Sequence, residues 1–174
     1  MKIEIDLYRP TLLIPIKLWV NSENKHKTAW AIFDTGASNT CISYETAEIA
    51  GYKIDKKYQT KVTTGGGLIN AYHTVIPDLK LADISIGPVY ANVIDFPDEL
   101  SASIILGLNV IKEFSVNIDF DKNKETGKTK VYINMNPKFD ITKLCTVDEF
   151  NVKDSEQRFG DVYMLEKNNN RLER

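Results

Sequence analysis

The stretch Ala31-Ile32-Phe33-Asp34-Thr35-Gly36-Ala37-Ser38 decides how the rest of the chain folds. Three apolar residues run straight into a carboxylate, and a hydroxyl residue, a glycine and two more small residues follow. The apolar entry reads as a buried strand, which draws Asp34 towards the interior. A lone buried carboxylate is costly, so it neutralises itself or finds a partner. Thr35 and Ser38 supply short-range hydroxyls. Gly36 lets another backbone or a ligand come close, and a positive φ is open to it if the turn requires one. The result is a carboxyl held at the end of a strand with space in front of it. Asp-Thr-Gly is also ordinary turn chemistry. Two features weigh against a plain turn. The preceding run is apolar, and Ile104-Ile105-Leu106-Gly107-Leu108 repeats the design downstream.

The chain has 174 residues, enough for one domain with a useful core. Its net charge is −2, with both signs well mixed, which gives no electrostatic case for nucleic acid or an anionic membrane. Cys41 and Cys145 lie far apart and suggest no disulfide framework, so reduced thiols in a cytoplasmic protein are expected. The two histidines, His26 and His73, have no Cys or His cluster beside them, and neither a zinc site nor any other cofactor is expected. The opening Met1-Lys2-Ile3-Glu4-Ile5-Asp6 is broken by acids, unlike a signal peptide. No apolar run approaches a bilayer span, so no membrane association is expected.

Taken in order, the chain reads as mostly strand. Ile3, Ile5 and Leu7 alternate with charged residues, and Leu12 to Val20 continues the period of two. Pro10 and Pro15 suit a strand start and an edge or bulge. Asn21 to Lys27 is a polar turn returning into Thr28–Asp34, and Thr40–Ser43 is a further short strand. Tyr44 to Gly51 predicts a helix, with Ser43 as N-cap, Glu45 at the positive end and Gly51 at the C-terminal stop. Tyr58–Thr64 and Leu68–Ile76 flank Gly65-Gly66-Gly67 as the arms of a mobile-tipped hairpin. A phosphate cradle does not fit, since no lysine follows and no helix opens there. Strands follow over Leu79–Ile86 and Val89–Phe96, then a short helix over Leu108–Phe114. A hairpin of Ser115–Phe120 and Lys130–Met135 comes last, and the polar end from Glu166 to Arg174 should fray.

In this order the pieces resemble the retropepsin-like aspartic proteases. The likeness rests on Asp34-Thr35-Gly36-Ala37-Ser38 with its apolar lead, the glycine-rich hairpin around Thr63–Ile69, and Ile105-Leu106-Gly107 before a short helix. The Asn117-Ile118-Asp119-Phe120 strand adds to it. It covers roughly residues 3 to 135, a domain-sized span. The helix over Tyr44–Gly51 and the tail after Asn136 depart from the minimal viral pattern. The resemblance implies a mainly β fold, a closed barrel of the acid-protease type with a flap hairpin and two short helices. It implies a protease domain at 1–135 and a C-terminal extension at 136–174, partly packed.

The resemblance also implies an aspartic endopeptidase whose catalytic residues are Asp34, Thr35 and Gly36. Ala37, Ser38, Thr64, Gly65, Gly66 and Gly67 would contact a polypeptide substrate. Only one Asp-Thr-Gly is present. Asp95, Asp98, Asp119 and Asp121 sit beside turns or in amphipathic strands, where solvated carboxylates are normal. A homodimer that sets Asp34 against its twin is therefore expected. A peptide-binding module without turnover and a structural β-domain are the competing readings.

Overall fold

The computed structural model describes residues 1–7, 11–97 and 100–138. Two sheets account for the strands. The first holds β1 (Lys2–Leu7), β12 (Thr129–Pro137) and β11 (Phe114–Lys122), in that order. The second has nine strands, in the order β5-β6-β9-β4-β10-β3-β2-β7-β8. These are β2 (Leu13–Val20), β3 (Lys25–Phe33), β4 (Thr40–Ser43), β5 (Asp55–Thr64), β6 (Gly67–Ile76), β7 (Leu79–Leu81), β8 (Ile84–Ile86), β9 (Val89–Ile94) and β10 (Ile104–Leu106). The fold is mainly β, as the alternation predicts. The expected closed barrel is not formed among the described residues: the nine-strand order is open, with β5 at one edge and β8 at the other. Barrel closure requires those edges to pair, and their own turns leave each with a single neighbour.

The period of two is visible in the burial. In β2, Ile14, Ile16, Leu18 and Val20 are buried while Pro15 and Lys17 are exposed. β7 pairs with Ile16–Leu18 only, so Pro15 lies beyond that ladder, where its missing N–H costs nothing. Both sheets feed one apolar core. Ile14, Ile42, Ile76, Leu79, Leu81, Ile104 and Leu106 come from the large sheet, and Ile133 and Met135 from the small one.

The first helix, α1 (Tyr44–Ile49), begins where the cap predicts: the Thr46 N–H donates to Ser43 Oγ at 3.1 Å. Gly51, just past its end, has φ +73°. The second helix, α2 (Leu108–Ile111), is shorter than the Leu108–Phe114 expected. Val110, Ile111 and Phe114 are all buried, but Phe114 already pairs with Pro137 as the first residue of β11. β12 runs through Pro137, two residues past the expected domain boundary at 135. Of the extension at 136–174, residues 139–174 lie outside the described residues, as do Asp98 and Cys145. Among the described residues no helix is long and apolar enough to cross a membrane.

Candidate active site

The Asp34 turn is shaped by an inserted strand. β3 and β4 follow each other in sequence, yet β10 lies between them, parallel to β3 and antiparallel to β4. The register Ile104↔Ala31, Ile105↔Ile32 and Leu106↔Phe33 makes the two apolar runs end side by side. The connection from Asp34 to Asn39 must therefore arch over the end of β10. The Asp34 N–H donates to the Leu106 carbonyl at 3.1 Å, which pins the turn to the inserted strand.

The carboxyl is steadied by its own loop. The Gly36 N–H donates to Asp34 Oδ1 at 2.8 Å, and the Ala37 N–H to the Asp34 carbonyl at 3.4 Å. Asp34 is half-buried, and Thr35 and Gly36 are exposed. The glycine is not needed for handedness, since the positive-φ glycines are Gly51, Gly67 and Gly127. It leaves room: a Cβ at position 36 would stand 3.2 Å from Asp34 Oδ1, so the carboxylate would have to give way by a few tenths of an ångström. Ala37 and Ser38 act through their backbones. Their carbonyls accept from the Leu108 N–H at 2.8 Å and the Asn109 N–H at 3.1 Å, which ties the loop to the first turn of α2.

Two residues that the motif did not single out lock this crossing. Thr40 is fully buried. Its N–H and its hydroxyl both donate to Asn109 Oδ1 at 2.8 Å, and its Oγ1 accepts from the Gly107 N–H at 3.2 Å. Asn109 Nδ2 donates onward to the Tyr90 carbonyl at 2.9 Å. At Gly107 a Cβ would fall 2.4 Å from the Asn39 carbonyl carbon, so no side chain fits where the two chains cross. The signal in the sequence was a polar residue set at the edge of each apolar run: Thr40 before Cys41-Ile42, and Asn109 before Val110-Ile111.

The glycine-rich hairpin is present, formed by β5 and β6. Gly65 and Gly66 make the turn, while Gly67, at φ +114°, opens β6 and pairs with Thr64. The Thr64 hydroxyl donates to the Gly67 carbonyl at 2.9 Å and accepts from the Gly66 N–H at 3.2 Å. Among the described residues no hydrogen bond joins this tip to the Asp34 turn. The hairpin meets the neighbourhood of the turn through packing instead. Val62, Ile69 and Ala71 join Cys41, Ile94, Phe96 and Ile105 in a small apolar cluster separate from the main core. Burial pushes the Cys41 thiol up. A hydrogen bond with Asn92 works against that rise, and the nearby Asp34 charge adds to it.

The remaining titratable groups have other tasks. Asp95, Asp119 and Asp121 are exposed. His26 Nε2 lies 2.8 Å from Asp78 Oδ2, with Ser85 bonded to the other oxygen of the same carboxylate. His73 Nδ1 is hydrogen-bonded to the Tyr90 hydroxyl. Cys41 is a free, buried thiol. Among the described residues no group of His, Cys, Asp and Glu is gathered closely enough to hold a metal.

The sequence profile described as "Aspartyl protease" matches residues 16–110, more than half of the chain. Among solved structures, a retropepsin-like aspartic protease from Rickettsia conorii is 19% identical with a TM-score of 0.48. The match covers 78% of this chain and 94% of that one. The retroviral protease-like domain of Ddi1 from Leishmania major is 19% identical with a TM-score of 0.41, over 75% of this chain and 97% of that one. No curated protein matches the chain. The profile spans β2 to α2 and so takes in the Asp34 turn, the hairpin and the Gly107 crossing. On that match, the chain belongs to the aspartyl protease family.

Proposed function

We propose that the protein is an aspartic endopeptidase whose catalytic pair is Asp34 from each of two identical subunits. The observation that carries this reading is the single Asp34 carboxyl, fixed by Gly36 and Leu106 at the shared end of two strands and only half-buried. Hydrolysis of an amide by general acid–base chemistry needs two carboxyls in different protonation states with a water between them. Two carboxyls brought together cannot both ionise, so the pair holds one proton, as aspartic proteases do. The pair titrates as a unit.

In this scheme the ionised carboxylate takes a proton from water, and the resulting hydroxide adds to the carbonyl carbon. The protonated carboxyl gives its proton to the carbonyl oxygen, forming a neutral diol. The carbon–nitrogen bond then breaks as the amine nitrogen takes a proton from one carboxyl, and a diol hydroxyl returns one. The products are an acid and an amine, and the dyad is restored. Thr35 is exposed and its hydroxyl has no hydrogen bond within the described residues, which suits a contact with the other subunit. Gly36 keeps the carboxyl open to water. Thr64, Gly65, Gly66 and Gly67 would close over an extended polypeptide, with Ala37 and Ser38 on the opposite side. The proposed catalytic domain is 1–135, with the extension at 136–174 outside the machinery.

The test is cleavage of a peptide library by the full chain and by Asp34→Asn, with circular dichroism to confirm that the variant folds. Cleavage by wild type alone is expected. A wild-type dimer that binds peptides and cuts none, or a variant that cuts equally well, would overturn the proposal.

A further inference from the structure

Upstream of Asp34 along β3, a groove of about 480 Å³ opens between Trp30, the start of α1 and the loop leading into β10. Its floor is backbone held in place: the Ser103 N–H donates to the Trp30 carbonyl and the Ser43 N–H to the Ser103 carbonyl, both at 3.0 Å. Three aromatic residues line it, Trp30, Tyr44 and Phe96, along with Glu45 and Asp95. Among the described residues no lysine, arginine or histidine lines it. Among the described residues neither carboxylate has a cation at ion-pair distance.

Trp30 is 51% exposed between half-buried Ala29 and buried Ala31, in the middle of the large sheet. Its ring leaves an apolar face open to a ligand. The chemistry of the walls is already shown within the chain. Lys56 Nζ stands 5.2 Å from the centre of the Tyr44 ring, so this ring accepts an ammonium group. Aromatic residues for the aliphatic stem and face, with carboxylates that have no ion pair among the described residues for the head, fit a lysine or arginine side chain.

We propose that this groove is an auxiliary substrate subsite that takes a lysine or arginine side chain of the polypeptide being cleaved. The inference rests on the protease reading given above and adds a charge preference to it. Trp30 stands four positions before Asp34, roughly 13 Å at the rise of a strand. A substrate strand laid along β3 with its scissile bond at Asp34 would reach the groove about four residues away.

The test is done in an Asp34→Asn background, so that nothing is turned over. The probe is acetyl-Arg-Ala-Arg-amide, with acetyl-Glu-Ala-Glu-amide as control, followed by NMR at the Trp30 indole and the Glu45 and Asp95 amides. The basic probe is expected to shift these signals and the acidic one not to. A Glu45→Gln/Asp95→Asn double variant should bind at least tenfold more weakly. Trp30→Ala, which keeps both charges, should also weaken binding several-fold, separating ring contact from plain charge attraction. Equal shifts with both probes, no shift, or undiminished binding by the double variant overturns the subsite. The two readings fail separately. A wild-type protein that binds the basic probe here and cuts no library peptide loses the protease reading and keeps the groove. One that cuts a library with no preference for basic residues and binds neither probe keeps the protease reading and loses the groove.

Discussion

Two donors of Thr40 depend on Asn109: its N–H and its hydroxyl, both of which donate to Asn109 Oδ1. Removing their partner strands them in a largely water-free place, and a stranded buried group costs more than a made bond contributes. Asn109→Ala should therefore lower stability by about 3 kcal/mol, measured by urea denaturation. A loss below the ordinary scatter of surface substitutions would mean that water replaces the amide. The local sequence shows only a polar residue at the edge of an apolar run; the pairing itself was not legible, because Thr40 stands 69 positions away. The setting of Asp34 was more legible: the apolar run before it is a strand, as its sequence predicts, and that strand, β3, ends at Phe33. The role of Gly36 was half legible. Its lack of a side chain matters, but for the carboxylate beside it and not for a left-handed turn.

At the scale of elements, local pattern was a good guide wherever one face of a strand meets the core. β1 and β2 follow their alternation, and α1 follows its cap and its stop. Strand order was not legible. Placing β10 between β3 and β4 is a choice among distant partners, and each strand alone reads equally well in another position. The open order of the large sheet was hidden for the same reason. The small sheet offers an element-scale prediction. Lys130 Nζ reaches Glu4 Oε1 at 2.5 Å across β1 and β12. That hydrogen bond and the lysine charge hold the Glu4 carboxyl below its usual range and Lys130 above its own. A carboxyl lowered by folding stabilises the fold above its unfolded pKa and ceases to do so as the pH falls through the folded value. The raised lysine sets the alkaline limit: its contribution is lost as the pH rises through its folded value. Glu4→Gln should thus cost a little stability at neutral pH and nothing in strong acid. High salt should shrink the neutral difference, because both groups are exposed. A difference that persists in strong acid would point to packing by Glu4 and not charge.

At the scale of the whole molecule, each chain carries a single Asp-Thr-Gly, so the proposed mechanism makes activity a property of pairs. Specific activity should fall on dilution over the same concentration range in which sedimentation shows dimer giving way to monomer. Constant specific activity from a protein sedimenting as a monomer would sink the two-subunit site. The inserted strand carries a further consequence, this time for biosynthesis. A ribosome that has translated only as far as β9 has already made Asp34, but not the strand that seats it or the asparagine that locks its loop. Contacts between such distant segments form late, since the intervening chain must first be closed into a loop. The nascent polypeptide therefore carries its acid unseated, and the proposed proteolytic capacity waits until translation has passed α2.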